Sequence, residues 1–282
     1  MSKINFFEDL EINIKQSLAE DIRTGDLTAS LIPDQNISTA KIIAKEAAIV
    51  CGRPWFDAVF NQVSKQIEIN WLVKEGEKVS KNTVICELKG SSSKLLTAER
   101  SALNFLQTLS STATITHDYT QRLKNTHTQL LDTRKTLPNL RLAQKYAVKC
   151  GGGTNHRVGL YDAILIKENH IMAAGNIQTA VQTAKRKFPK ITIEVETENL
   201  AELQQALDAN ADIIMLDNFT NALIIEAVAI NKQHSTPAKL EASGNVEIDQ
   251  LEKLAQTGVD FISTGAITKH IQAIDYSMRF DI

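Results

Sequence analysis

Apolar residues recur along this chain in two different rhythms. Near the start, Phe6, Phe7, Leu10, Ile14 and Leu18 fall at helical spacing within FFEDLEINIKQSLAED, which predicts a first helix. Gly25 and Pro33 break that pattern in RTGDLTASLIPD. STAKIIAKEAAIVCG and QIEINWLVKEGEKVSKNTVICELKG read as short strands joined by turns such as Glu75-Gly76-Glu77. LTAERSALNFLQTLSSTATITHDYTQRLKN reads as helix again. The first ~110 residues therefore mix helices with a small sheet.

From about residue 128 the rhythm changes. Six short apolar runs each stop at a polar or charged residue: TQLLDTRK, DAILIKEN, ITIEVETE, DIIMLDNF, AKLEASGN and DFISTGAI. Their ends, Thr133, Lys167, Glu196, Asp217, Ser243 and Thr264, lie about 21 to 34 residues apart, room for a strand and a helix each. NIQTAVQTAKRKF, NLAELQQALDAN, TNALIIEAVAINKQ and EIDQLEKLAQTG supply helical patterns between them. Alternating β and α with buried parallel strands is the expected class. Six repeats fall short of the eight of a full barrel. The expectation is α/β: an open or incomplete α/β barrel with a mixed α/β N-terminal domain. A doubly wound sheet is the competitor. Either architecture places ligands at the carboxyl ends of the strands.

Composition narrows the class of function. The chain has 282 residues and a formal net charge of -2. That length suits one large domain or two unequal ones. Near neutrality argues against a dedicated nucleic-acid or membrane-surface binder. Cys51, Cys86 and Cys150 are widely spaced and form no CxxC, so neither a zinc site nor a disulfide framework is expected. The opening MSKINFFEDLEINIKQ carries acids where a signal peptide needs an apolar core, and no apolar run approaches a membrane span. A cytoplasmic protein is expected.

Charge is unevenly spread. From Thr133 to Lys167 there are seven Lys or Arg and one acid, Asp162. Arg134, Lys135, Arg157 and Lys167 lie at predicted strand ends or beside the glycine run of KCGGGTNHRVG. Arg141, Lys145 and Lys149 have helical spacing and read as a solvated face. A rim of Arg, Lys and His suits a small ligand with several negative oxygens, because Arg grips a carboxylate or phosphate through two parallel hydrogen bonds. Glu194 and Glu196 share one side of their strand. Glu196 and Asp217, at neighbouring strand ends, could share a hard cation such as Mg2+, or instead pair with Lys135 or Lys167. Ser243, Gly244 and Asn245, and Ser263, Thr264 and Gly265, put small residues before helices, where backbone N–H groups and the helix dipole favour a phosphate. Gly151 to Gly153 would let the backbone turn tightly, approach a ligand and aim His156 and Arg157 inward.

The run LLDTRKTLPNLRLAQKYAVKCGGGTNHRVGLYDAILIKENHI resembles the quinolinate phosphoribosyltransferase family. AEDIRTGDLT, AERSALNFLQ, EVE, IMLDN, EASGN and STGA match the family in order, over essentially the whole chain. The resemblance implies a mixed α/β N-terminal domain at 1–112, an α/β barrel catalytic domain at 113–270, and a segment, 271–282, returning to the N-terminal domain. It implies a homodimer with its active site at the interface. Quinolinate and phosphoribosyl pyrophosphate would give nicotinate mononucleotide, pyrophosphate and CO2 in NAD synthesis, with Mg2+ as cofactor. Carried over by position, Arg134, Lys135, His156, Arg157 and Lys167 would bind the two quinolinate carboxylates and neighbouring phosphates, and Thr133 would belong to the substrate-binding set. Arg100 would reach in from the partner subunit. Glu196 and Asp217 would hold Mg2+ and the ribose-pyrophosphate, and Lys135, Lys167, Glu196 and Asp217 would form the catalytic set. Ser243, Gly244 and Asn245, with Thr264, Gly265 and Ala266, would cradle the 5-phosphate.

Ser111 and Thr112 depart from the family pattern, as does Asn139, which stands where glycine is common and tolerates a left-handed conformation. Two rival readings remain: a sister pyrophosphorylase of the same fold acting on another base, and a biotinyl or lipoyl carrier suggested by VKEGEKVSKNTVICELKG. Lys89 and Lys94 lack the turn context that a modified lysine needs.

Overall fold

The computed structural model describes residues 4–33 and 35–280. Residues 1–3, 34 and 281–282, which include the outer ends of the expected N-terminal domain and C-terminal segment, lie outside the described residues. In chain order the elements begin with α1 (Leu10–Asp21), β1 (Ile37–Ala44), β2 (Ala48–Ile49), α2 (Arg53–Val63), β3 (Glu68–Trp71), β4 (Lys78–Val79), β5 (Val84–Ser91) and α3 (Ser92–Leu123). Next come β6 (Gln129–Leu131), α4 (Arg141–Cys150), β7 (Ile164–Ile166), α5 (Glu168–Ala174), α6 (Ile177–Lys187), β8 (Ile193–Thr197) and α7 (Leu200–Asp208). The chain continues through β9 (Ile213–Asp217), α8 (Asn221–Gln233), β10 (Lys239–Ser243), α9 (Leu251–Gln256), β11 (Phe261–Ser263), α10 (Ala266–Lys269) and β12 (Tyr276–Phe280).

Two compact units result. The first gathers Ile4–His117, Leu137–Gly152 and the chain from His270 on; the second holds Asp118–Thr136 and Gly153–Lys269. The sequence reading treated 113–270 as one continuous stretch, but residues 137–152 lie with the first unit. The reason is packing: Ala143 and Ala147 of α4 sit in the first unit's apolar core. Gln144 Nε2 also donates to Thr112 Oγ1 at 3.3 Å.

The first unit is built on an antiparallel sheet in the order β12-β1-β5-β3. The helix expected from Phe6 starts only at Leu10, and the rings of Phe6 and Phe7 pack on Tyr146 and Trp55 instead. No element was predicted over RPWFDAVFNQV. It forms α2, with Pro54 in its first turn and Trp55, Phe56, Val59 and Phe60 buried along one face. Asn139 adopts a φ of 62°, the left-handed conformation anticipated for it, and its carbonyl accepts from Asn13 Nδ2 at 3.0 Å. The buried Ser111 and Thr112 lie in α3, where they serve helix packing. Lys145 corrects an expectation. It is fully buried rather than part of a solvated face, because its side of α4 packs inward with Ala143 and Gln144.

The second unit is a parallel sheet in the order β6-β11-β10-β9-β8-β7. The first strand pairs with the last, and from β8 on every strand lies beside its predecessor. Among the described residues β6 and β7 do not pair with each other, so this is a barrel with one gap. A doubly wound sheet would reverse its order part-way. Asn176, Asn199 and Thr220 cap α6, α7 and α8, each accepting a backbone N–H three residues on. The turns after β8 and β9 are thereby fixed.

Candidate active site

The carboxyl ends of the six strands form one rim, and the predicted residues fall on it. Thr133, Arg134 and Lys135 follow β6, Lys167 follows β7, and Thr264, Gly265 and Ala266 follow β11. Glu196, Asp217 and Ser243 lie at or next to the last position of β8, β9 and β10. Arg100 is the exception. It is exposed on α3, within the first unit.

A buried carboxylate organises the loop carrying His156 and Arg157. Asp132, fully buried just past β6, accepts from Asn155 Nδ2 at 2.7 Å and from the His156 N–H at 2.8 Å. Asp162 accepts the N–H groups of Val158 and Gly159 at 2.7 and 2.9 Å. Arg157 is thus held between two carboxylate-anchored turns. Of the glycines, Gly152 turns the chain with a φ of 91°. Gly151 meets protein rather than ligand, since a Cβ there would lie 2.4 Å from the Ala113 carbonyl oxygen.

The cationic sector surrounds a pocket of about 610 Å3. Arg134, Arg157, Lys167 and His170 line it, with an apolar wall that includes Leu165 and Ala163. Burial first, and the neighbouring Arg134 second, hold the Arg157 guanidinium below its ordinary pKa. Two guanidiniums this close are an arrangement that an anion relieves. Lys167 pairs with Glu196. Burial, then the charge of Glu196, raise the Asp217 carboxyl above its usual range, while Lys167 and Lys135 act the other way.

The sequence reading missed the group behind this rim. His156 Nε2 lies 2.8 Å from Glu194 and 3.5 Å from Glu241. Both carboxylates are buried, and neither oxygen of Glu241 has a hydrogen-bond partner. His156 Nδ1 accepts the Arg157 N–H at 2.8 Å, and its Nε2 faces Glu194. Glu194 therefore lies behind the rim instead of on it, raised to about 7 by burial first and Glu241 second. Alternation along KLEAS, which puts Glu241 on the same side as Ser243, was the available signal. For Asp132 the signal was its place two residues before Arg134.

The third sector is a pocket of about 390 Å3 lined by Ser243, Gly244, Asn245 and Asn218. Gly244 takes a φ of 104°, and a Cβ there would lie 2.2 Å from Asn218 Oδ1. Only glycine fits that turn. At the next strand end the Lys135 chain lies over Gly265, where a Cβ would come within 2.9 Å of its Cδ. Thr268 Oγ1 donates to the Lys135 carbonyl at 2.7 Å. The helices that follow, α9 and α10, are too short for a strong dipole.

The chain is similar to known proteins over nearly its whole length. The family described as quinolinate phosphoribosyl transferase, C-terminal domain, matches residues 112–279, and its N-terminal domain matches residues 25–110. A probable nicotinate-nucleotide pyrophosphorylase [carboxylating] of Synechocystis sp. is 42% identical over 267 residues, covering 94% of this chain and 90% of that protein. Its namesake in Bacillus subtilis is 39% identical over 262 residues, covering 92% and 89%. The solved structure of the nicotinate-nucleotide pyrophosphorylase from Francisella tularensis is 50% identical, covers 99% of this chain and 98% of its own, and superposes with a TM-score of 0.94.

Proposed function

Because the chain belongs to the quinolinate phosphoribosyl transferase family, we propose that it joins quinolinate to phosphoribosyl pyrophosphate. The products are nicotinate mononucleotide, pyrophosphate and CO2, in NAD biosynthesis. The observation that carries this reading is the pocket where Arg134, Arg157 and Lys167 meet an apolar wall. A flat dicarboxylate ring needs cations for its two carboxylates and apolar surface for its face.

The chain's own residues supply positioning and charge. Arg157, fixed between the Asp132 and Asp162 turns, grips one carboxylate, and Arg134 and Lys167 neutralise the other. The turns at Ser243–Asn245 and Thr264–Ala266 seat the 5-phosphate. Lys135, tied to the second turn, faces the leaving pyrophosphate. Glu196 and Asp217, two hard oxygen donors at adjacent strand ends, fit Mg2+. Bound there with the diphosphate, the ion would stabilise negative charge on the leaving group. After ribosylation the cationic pyridinium nitrogen stabilises the electron pair left on the neighbouring ring carbon as its carboxylate departs as CO2, and a proton from solvent then takes that place, so no covalent nucleophile is needed.

Assembly as a homodimer belongs to the same reading. Leu160, Tyr161 and Met172, near the cationic pocket, are 76%, 78% and 70% exposed. Large apolar side chains so exposed suit a subunit interface, across which the partner's copy of α3 would bring its Arg100. Light scattering after gel filtration tests this, and a monomer at micromolar concentration would refute it. The three cysteines are free thiols, which supports a cytoplasmic setting.

The deciding experiment supplies the purified protein with quinolinate, phosphoribosyl pyrophosphate and Mg2+ and follows nicotinate mononucleotide by absorbance and mass. Nicotinate replaces quinolinate in a parallel reaction. Product from quinolinate alone supports the proposal. Product from nicotinate alone, or from neither, overturns it.

A further inference from the structure

The first unit contains a second cluster of ionisable groups that the transferase chemistry does not use. Cys51 follows β2, Glu75 sits in the turn before β4, and Cys150 ends α4. Their two Sγ atoms and a carboxylate oxygen all lie within 4.8 Å of one another. Both cysteines are free thiols.

Each of the three is held in place independently. The Cys51 N–H donates to Ser110 Oγ at 3.0 Å, and that hydroxyl donates back to the Cys51 carbonyl at 3.1 Å. Glu75 Oε1 accepts the Gly52 N–H at 2.8 Å, and Oε2 accepts the Arg53 N–H at 3.3 Å. The Tyr146 and Cys51 side chains also hydrogen-bond this carboxylate, and a metal ion would replace the Cys51 proton. Gly76, with a φ of 78°, lets its turn approach the end of α4: a Cβ there would lie 3.5 Å from the Cys150 carbonyl oxygen. Cys150 cannot retreat, because Gly151 is pressed against the Ala113 carbonyl.

We propose that Cys51, Glu75 and Cys150 form a binding site for a thiophilic divalent cation, Zn2+, with solvent in the fourth position. Two thiolates and a carboxylate are donors that zinc accepts, at roughly 2.3 Å for sulfur and 2.0–2.2 Å for oxygen. Ligand atoms around a tetrahedral ion of that size stand about 3.5–3.8 Å apart, so side-chain shifts of about 1 Å or less complete the site. Cys51 is fully buried, while Cys150 and Glu75 are partly exposed and give the ion a way in. Binding releases the thiol protons to solvent. The absence of CxxC spacing turned the sequence reading away from zinc, but the three donors arrive from a strand end, a turn and a helix end.

The site is independent of transferase activity, so its test uses none. Full-length protein is stripped of metal under reducing conditions and titrated with CdCl2, then with ZnCl2 against a chromophoric chelator. The expected result is a thiolate-to-cadmium ultraviolet band saturating at one equivalent per chain. Tight zinc uptake at one equivalent should accompany it, with a rise in Tm of about 5 °C at saturating zinc. Cys150→Ser should abolish the band and weaken zinc uptake at least a hundredfold, and Glu75→Gln should weaken it about tenfold. Glu241→Gln, in the barrel, should leave it unchanged. Absence of the band in the parent protein overturns the proposal without recourse to any variant. So does zinc uptake that survives Cys150→Ser, or a Cys51–Cys150 disulfide that persists under reducing conditions.

Discussion

The two units treat ionisable side chains on their sheets in opposite ways. On the antiparallel sheet charge points outward: Glu68 and Lys89 are exposed while Ile42, Ala44, Cys86 and Leu88 fill the core. On the barrel sheet charge points inward: Glu194 and Glu241 are 3% and 0% exposed, and His156 joins them. An outward charge costs a sheet little. An inward one is costly unless something uses it. Buried charge on a sheet therefore marks the unit that does chemistry.

Disabling the barrel's cationic sector should have the largest effect. Arg157→Ala is expected to lower kcat/KM for quinolinate about a thousandfold, about 4 kcal/mol, while the KM for phosphoribosyl pyrophosphate changes little. Arg279→Ala, on the antiparallel sheet, should change neither. Steady-state kinetics with each substrate varied decides it, and equal losses for both substrates would refute the assignment of Arg157. Asp217→Ala comes next: a fall in Mg2+-dependent turnover of about a hundredfold, with quinolinate affinity by calorimetry largely intact. Undiminished turnover would remove Asp217 from the metal site.

The same contrast explains what the sequence revealed. The barrel was legible because each strand is a short apolar run ending at the residue that reaches the rim, as in IIMLD ending at Asp217. The order of neighbours, and hence the gap between β6 and β7, was not legible, because pairing depends on contacts far apart in the chain. Glu241 was overlooked because the glycine two places beyond Ser243's strand neighbour drew attention to the turn instead of the strand. Helix α2 was missed because proline reads as a breaker even where it starts a helix. Lys145 was misplaced because helical spacing gives a periodicity but not which face is covered. The Cys51, Glu75 and Cys150 group left no trace in spacing, since three separate segments bring it together.

Glycine positions sharpen the comparison at a smaller scale. Gly151→Ala in the first unit should cost about 1–3 kcal/mol, because its Cβ would lie 2.4 Å from a carbonyl oxygen and 2.7 Å from Thr116 Cβ. Gly175→Ala on the barrel meets nothing within 4 Å, and its φ of 96° alone should cost about 1 kcal/mol. Urea midpoints would measure both. Equal costs would show that conformation, and not the close approach, makes Gly151 necessary.

The smallest effect tests the buried charge itself. Glu194 is raised to about 7 from an ordinary value of 4.5, by burial first and by Glu241 second. A carboxyl raised in the folded protein holds its proton more tightly folded than unfolded. Its contribution to stability is thus full below about pH 4.5 and is lost as pH rises through about 7. Glu241→Gln keeps the shape and removes one buried negative charge, so Glu194 should titrate nearer its ordinary value. The variant should be more stable than the parent at pH 8 by on the order of 1 kcal/mol, and indistinguishable from it at pH 4.5. Glu68→Gln on the antiparallel sheet should show no such divergence, because Glu68 is exposed. Chemical denaturation of all three proteins at both pH values measures this. A Glu241→Gln variant less stable than the parent at pH 8 would mean that the pair carries no uncompensated charge, and the inward-charge half of the comparison would fall.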